Sequence, residues 1–256
     1  MIRRAAAVLA LACAAAPAAA QTMYEQQQRL IDIHGLLLDL PPAEPPGALE
    51  PWQLSLGIEV IGIPEIDGTT GGKTQLTASD HTIAFPRPRF LLGLPPAGAV
   101  RPFVGLTYIP PVTVADVSTN YGAVEAGVAW APGGPLSAGI RGYAAHGFSK
   151  SPVTDPNTKD TLESTLLGGD VLVGYALQLW GARWTPFAGA GVAYHDGRFR
   201  VTSDGVVLTS VVTTASIHAG LRVLAWRQWE AAFDLAAYPG YLVHPNFKLG
   251  WLWDPR

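Results

Sequence analysis

The fold is decided by a short stretch near the carboxyl end of the chain, Ala215-Ser216-Ile217-His218-Ala219-Gly220-Leu221-Arg222-Val223. Every odd-numbered residue in it is apolar, and every even-numbered residue is small or polar. Successive side chains of a β-strand point to opposite faces, so a period of two predicts a strand with one apolar and one polar face.

The same alternation recurs along the chain after Pro51. It is clear in residues 52–60, 124–130, 171–179, 229–235 and 247–253, and weaker in about 81–94, 100–109, 136–148 and 184–202. Together with 215–223, these segments predict about ten strands.

The connections between the predicted strands alternate in length. Those at about 95–99, 132–135, 181–182 and 225–228 are short, whereas those at about 62–80, 110–120 and 149–166 are long. The turns at 203–205 and 245–246 are short exceptions on the long-loop side. Short turns at one end and mostly long loops at the other are typical of an antiparallel up-and-down transmembrane β-barrel.

The aromatic residues are sorted by height in this arrangement. If the first strand runs upward from the short-turn end, all 8 tryptophans lie near that end. The long-loop end receives the tyrosines at 108, 121, 194, 238 and 241. Amphipathic rings prefer the interface between bilayer and water, so the tryptophans predict an aromatic girdle. Its expected members are Trp52, Trp130, Trp180, Trp184, Trp229, Trp251 and Trp253.

The last predicted strand carries a family pattern. Phe247, Leu249, Trp251 and Trp253 alternate and close on an aromatic residue, which resembles the carboxyl-terminal signal of the small Gram-negative outer-membrane β-barrels. The resemblance covers about residues 52–253. It implies an all-β barrel of about ten strands whose partners are outer-membrane lipids and the barrel assembly machinery. The tail 254–256 departs from the pattern, because family members usually end at the aromatic residue.

The amino terminus has the three parts of an export signal. Arg3 and Arg4 precede an apolar run, and small residues end at Ala20. This order predicts a signal peptide, residues 1–20, cleaved after Ala20, and an outer-membrane location. Cleavage would also remove Cys13, the single cysteine; a lipoprotein processed before Cys13 is the alternative.

Residues 21–50 form a separate predicted unit ahead of the barrel, which spans 51–256. Thr22 and Glu25 make a capping box for a helix that the prolines after residue 40 must end. We interpret this unit as a periplasmic helix with a proline-rich linker, or as a plug.

Alternation alone leaves two ways to orient the barrel wall. A soluble barrel such as a lipocalin places its apolar face inside, whereas a membrane barrel places it outside. The sorted tryptophans, the terminal pattern and the export signal favour the membrane barrel. Its lumen then receives five acids and five bases, which predicts a network of paired charges: Glu59, Arg87, Arg89, Glu125, Arg141, Asp170, Arg222, Glu230, Asp234 and Lys248.

One pair in this network has a predicted register. A hairpin centred on Trp226 would place Arg222 directly opposite Glu230 on adjacent strands.

About ten strands leave little free bore, so a wide porin is disfavoured.

The sequence favours a structural or surface-interaction role. A net charge of -3 excludes the basic balance of a general nucleic-acid binder. Histidines at 81, 146, 195 and 244 near the long-loop end keep a rim-located hydrolase, a protease or lipid A-modifying enzyme, as one alternative, and a narrow porin-like channel for small solutes is another. We assign no catalytic residue, metal site or cofactor, and no oligomeric state.

Overall fold

The computed structural model describes residues 23–61, 85–114, 117–151 and 157–255. One helix, α1 (Met23–Leu37), precedes eleven strand segments. They are β1 (Leu54–Ile61), β2 (Phe85–Gly93), β3 (Val100–Val114), β4 (Val117–Trp130), β5 (Leu136–Ser151), β6 (Asp160–Tyr175), β7 (Leu177–Leu179), β8 (Ala182–Arg200), β9 (Val207–Ala225), β10 (Trp229–Tyr238) and β11 (Leu242–Trp253).

The strands form a closed barrel. Neighbouring strands pair antiparallel in chain order, except that β6 and β7 both pair with β8, and β1 also pairs with β11, with Leu54 opposite Trp253. Segments β6 and β7 keep the same register against β8 and are one strand interrupted at Ala176. The prediction of an antiparallel barrel of about ten strands is therefore confirmed.

The wall of the barrel is oriented with its apolar face outward. Ile58, Val124, Ile140, Val171 and Val211, from five strands, are each more than half exposed. The charged residues of the alternating face are buried inside. This is the reverse of a soluble barrel, and it confirms the membrane arrangement.

The hairpin between β9 and β10 has a different register from the predicted one. Trp226 and Arg227 have φ of 48° and 63°. Ala225 pairs with Trp229, which centres the hairpin on Arg227, one residue later than expected. Arg222 therefore lies opposite Ala232, and Glu230 opposite Leu224.

Helix α1 lies inside the barrel, at the long-loop end. At the middle of α1, Arg29 Nη2 donates to the carbonyl of Gly240, in the turn between β10 and β11, at 3.0 Å. Lower down, Leu36 and Leu37 pack against inward-facing side chains such as Ala193. Among the described residues, no helix is long and apolar enough to cross a bilayer.

The chain then descends through the lumen to the short-turn end. There Glu50 pairs with Arg101 at 2.7 Å, and the Trp52 N–H donates to the Gly93 carbonyl at 2.8 Å. We call residues 23–53 the lumen segment. Of the two interpretations of residues 21–50, this position fits the plug and not the periplasmic helix, because Leu36 and Leu37 of α1 pack against the inner wall of the barrel.

The lumen of the barrel as candidate functional site

A chain of ion pairs begins on β1 and β2 inside the barrel. Glu59 and Arg87 lie directly opposite each other, with Nε and Oε2 2.7 Å apart. Arg89 then bridges Glu59 and Glu125, at 2.6 Å to each carboxylate. Each carboxylate is thus shared by two arginines, as buried charges require.

The chain of pairs continues around the wall to β10. Arg141 bonds Glu125 at 3.1 Å and pairs with Asp170, the residue opposite it on β6. His218 Nε2 lies 3.1 Å from Asp170, and its Nδ1 lies 3.5 Å from Asp234. His218 is not among the ten residues predicted for the network, although its parity on β9 matches that of Arg222 and places it in the lumen.

A second group of charges lies on β9, β10 and β11. Glu230 accepts from Arg222 at 2.7 Å and from Lys248 at 2.6 Å. The Arg222–Glu230 pair is diagonal rather than directly opposite. Lys248 also pairs with Glu44 of the lumen segment and bonds the Ser55 hydroxyl at 2.7 Å.

The structure thus brings the ten charged residues expected in the lumen into these two groups. All ten are buried, Arg141 being the most exposed at 6%. Asp234 enters only through His218, and the other nine make direct carboxylate–cation pairs with wall residues.

Three wall arginines hold the lumen segment by its backbone. Arg87 Nη1 donates to the carbonyl of Asp39 at 2.7 Å, Arg141 Nη2 to Leu40 at 2.6 Å and Arg89 Nη1 to Pro41 at 2.9 Å. These carbonyls lie beyond the end of α1, where no further helical turn can satisfy them. The arginines therefore complete both the ion pairs of the wall and the hydrogen bonds of the segment.

The carboxylate of Asp39 binds a different part of the wall. Tyr143 donates its hydroxyl to Asp39 Oδ2 at 2.9 Å, and Tyr238 donates to the same atom. The Tyr121 hydroxyl donates to the Leu38 carbonyl at 2.9 Å. Tyr121 and Tyr238, two of the tyrosines near the long-loop end, therefore face the lumen and bind the segment there.

The described part of the lumen contains a small cavity between the lumen segment and the wall. It measures about 40 Å³ and lies in the lower half of the barrel, beside Pro42, Glu44, Arg89 and Arg141.

The histidines near the long-loop end occupy different environments. His195 is buried, with Nε2 3.3 Å from Ser164 Oγ and Nδ1 3.7 Å from Asp32 Oδ1. These are the residue types of a hydrolytic triad, but Ser164 is only 1% exposed, and a Cβ on Gly35 would lie 1.9 Å from the His195 ring. The cluster therefore has no room for a substrate.

The other histidines do not join that cluster. His244 is buried and stacks on Tyr238, with ring centroids 5.8 Å apart, and His146 is exposed beside Glu163. His81 lies outside the described residues. Within the described ranges, no group of three His, Cys, Asp or Glu residues could hold a metal ion.

The seven tryptophans of the expected girdle lie at the short-turn end. Six have exposed rings, and Trp184 is partly covered by an edge-on contact with Trp180 at 5.9 Å. Trp229 and Trp251, on neighbouring strands, lie 5.6 Å apart. The rings form a belt on the outer surface, at the level expected for one membrane interface.

The chain has the architecture of the outer-membrane β-barrels. No protein-family model matches it, and no curated protein matches it. Solved structures with a similar fold include the N-terminal β-barrel domain of Pseudomonas aeruginosa OprF, with 13% identity, 78% of this chain and 97% of that chain covered, and a TM-score of 0.32.

Two further structures share this likeness. The attachment invasion locus protein Ail of Yersinia pestis has 11% identity, covers 80% of this chain and 100% of its own, and has a TM-score of 0.35. The Pseudomonas putida toluene transporter TodX has 14% identity, covers 87% and 72%, and has a TM-score of 0.35. The likeness concerns the barrel alone.

Proposed function

We propose that the protein is an outer-membrane barrel that its own amino-terminal segment keeps closed, with a structural or surface-interaction role. The observation that carries the proposal is the path of residues 23–53, which enter at the long-loop end and leave at the short-turn end. A barrel filled along its whole length does not act as an open pore.

The proposed location follows from the two faces of the wall. The outward apolar band suits lipid, and the export signal at residues 1–20, cleaved after Ala20, would deliver the chain to the periplasm. Barrel assembly machinery and outer-membrane lipids are the proposed partners.

Fractionation of cells tests this proposal. The mature protein should sediment with outer membranes, resist carbonate extraction and migrate faster on gels unheated than boiled. In planar bilayers it should conduct no ions. Recovery as a soluble periplasmic protein without detergent would refute the location, and steady conductance would refute the closed state.

A second candidate function is gated passage of small solutes. Residues 38–50 belong to no strand of the sheet. Their backbone carbonyls are held mainly by arginine side chains of the wall and not by the backbone of a strand. Their displacement would break no ladder hydrogen bond between strands, so the wall could stay intact while the lumen opens.

A disulfide between segment and wall separates the two candidates. A Cβ on Gly174 would lie 3.1 Å from Pro45 Cβ, a little less than the about 3.5–4.5 Å between the Cβ atoms of a disulfide, so the lumen segment has to move by less than about 1 Å for the bond to form. The Pro45→Cys/Gly174→Cys variant can therefore lock the segment when oxidised and free it when reduced, with Gly174→Cys alone as control. Conductance that appears only after reduction supports gating. The absence of conductance in both the oxidised and the reduced state supports the closed barrel.

A further inference from the structure

Glu44 of the lumen segment places its carboxylate in a polar recess of the wall. Its Oε1 pairs with Lys248 Nζ and lies 3.1 Å from Ser55 Oγ, whose single proton has a nearer acceptor in Glu230 Oε1. Its Oε2 is buried and has no hydrogen-bond partner among the described residues. The recess therefore binds one carboxylate oxygen through the ammonium of Lys248 and leaves the second oxygen unsatisfied.

The charges around this recess do not balance without Glu44. Two wall cations, Arg222 and Lys248, face one wall carboxylate, Glu230, and all three are at most 2% exposed. An uncompensated buried charge is costly, so one more anion is needed at this place.

The other group of wall charges needs no such anion. Its three arginines at positions 87, 89 and 141 face the carboxylates of Glu59, Glu125 and Asp170. The lumen segment offers these arginines only neutral carbonyl oxygens. The requirement for an added anion is thus specific to the recess of Lys248 and Ser55.

The recess is rigid and lies beside free space. A Cβ on Gly57 would lie 2.4 Å from Lys248 Cε, so the lysine stem lies flat on the backbone of β1 and its ammonium has a fixed position. Glu44 also borders the cavity of about 40 Å³, whose lining includes Arg101 near the short-turn end. A small molecule could reach the recess from that end once the Glu44 side chain is absent.

We propose that Lys248 and Ser55, with Arg222 and Glu230 behind them, form a carboxylate-binding site that Glu44 occupies as an internal ligand. The external ligand is a small monocarboxylate of about the size of acetate. Lys248 provides the opposite charge, and Ser55 helps to fix the ammonium by accepting a hydrogen bond from its Nζ at 2.7 Å. This inference goes beyond the closed-barrel role and does not require that the lumen conducts.

Chemical rescue of a truncated side chain tests the site. Glu44→Ala, in the full-length refolded protein, leaves the recess empty and should lower the temperature of unfolding. Sodium acetate should raise that temperature along a saturating curve, and equimolar sodium chloride should not. The wild-type protein should respond equally to the two salts.

Two control variants make the result specific. Glu44→Gln keeps the recess filled, so acetate should give no rescue. Glu44→Ala combined with Lys248→Met removes the ammonium, so the acetate response should be lost. Glu230 remains paired with Arg222 in this variant and is not left as an unpaired buried charge.

Equal effects of acetate and chloride on Glu44→Ala, no effect of either, or rescue that survives without Lys248 would each overturn the proposal. If Glu44→Ala does not refold alone, its refolding yield in acetate against chloride decides the question in the same way. None of these outcomes bears on membrane location or conductance, so this proposal and the proposed function fail separately.

Discussion

Substituting Arg222 by Met tests the buried charge pairing in the lumen. After this change Glu230 still has Lys248 at 2.6 Å and the Ser55 hydroxyl. We therefore expect a loss of about 3 kcal/mol in the free energy of unfolding, the lower end of the about 3–5 kcal/mol for breaking a buried pair. Glu230→Met should cost about 5 kcal/mol, because it removes the carboxylate that both cations share.

The double variant Arg222→Met/Glu230→Met should be more stable than either single variant. It removes both charges and leaves Lys248 paired with Glu44, and apolar replacement of a buried pair is often neutral. The single losses should therefore be strongly non-additive.

Urea unfolding in lipid vesicles, followed by tryptophan fluorescence, measures all three variants. Arg198→Met, which removes an exposed charge on β8, is the matched control and should change stability by about 0.5 kcal/mol or less. Additive losses, or a larger loss for Arg222→Met than for Glu230→Met, would refute the assigned pairing.

Two further predictions concern the wall and the path of the chain. Val173→Arg, on the outward face of β6, should lower the free energy of unfolding by about 2–4 kcal/mol in the same assay, whereas Asp204→Arg at a turn tip should cost little. If the two variants are equally stable, the assignment of inward and outward faces is reversed. Arg29→Cys should react with a membrane-impermeant maleimide on intact cells, and Gly133→Cys in a short turn only after permeabilisation; the opposite pattern would reverse the direction of the lumen segment.

The wall could be predicted from sequence because its signal is local. In residues 215–223 the alternation of apolar and polar residues shows which face each side chain occupies. The same alternation in two other strands places Arg141 and Asp170 inside, without knowledge of their partners. His218 carries this signal as well. A histidine has no formal charge at neutral pH, so a count of acids and bases on the inward face does not identify it.

The register of the β9–β10 hairpin could not be predicted in this way. Its turn is built on Trp226 and Arg227, both with positive φ, where Gly, Asn or Asp is the usual signal. Parity is unchanged by a shift of two in the pairing, so Arg222 and Glu230 still face the same side. Their side chains meet diagonally. The predicted contact between Arg222 and Glu230 is therefore present, and the prediction that they lie directly opposite each other is wrong.

The location of the lumen segment depends on contacts that no local pattern contains. An amphipathic helix shows which face is buried and not what covers it. Asp39 binds Tyr143 and Tyr238 across sequence separations of 104 and 199 residues. Nothing near Asp39 in the sequence marks it as a group that two distant hydroxyls must satisfy.

The polar lining of the lumen bears on the choice between a closed and a gated barrel. Buried ion pairs are weak evidence for stability, because apolar side chains of similar volume can fill the same space without desolvating charges. An apolar lining would thus close the barrel equally well. With the lining that is present, each of the three arginines would lose one or two carbonyl acceptors on displacement of the segment, and water can replace a carbonyl oxygen as acceptor. At the fully buried Lys248, displacement would remove the charge of Glu44, which water cannot supply, so a carboxylate at that position would favour the open lumen over the closed one.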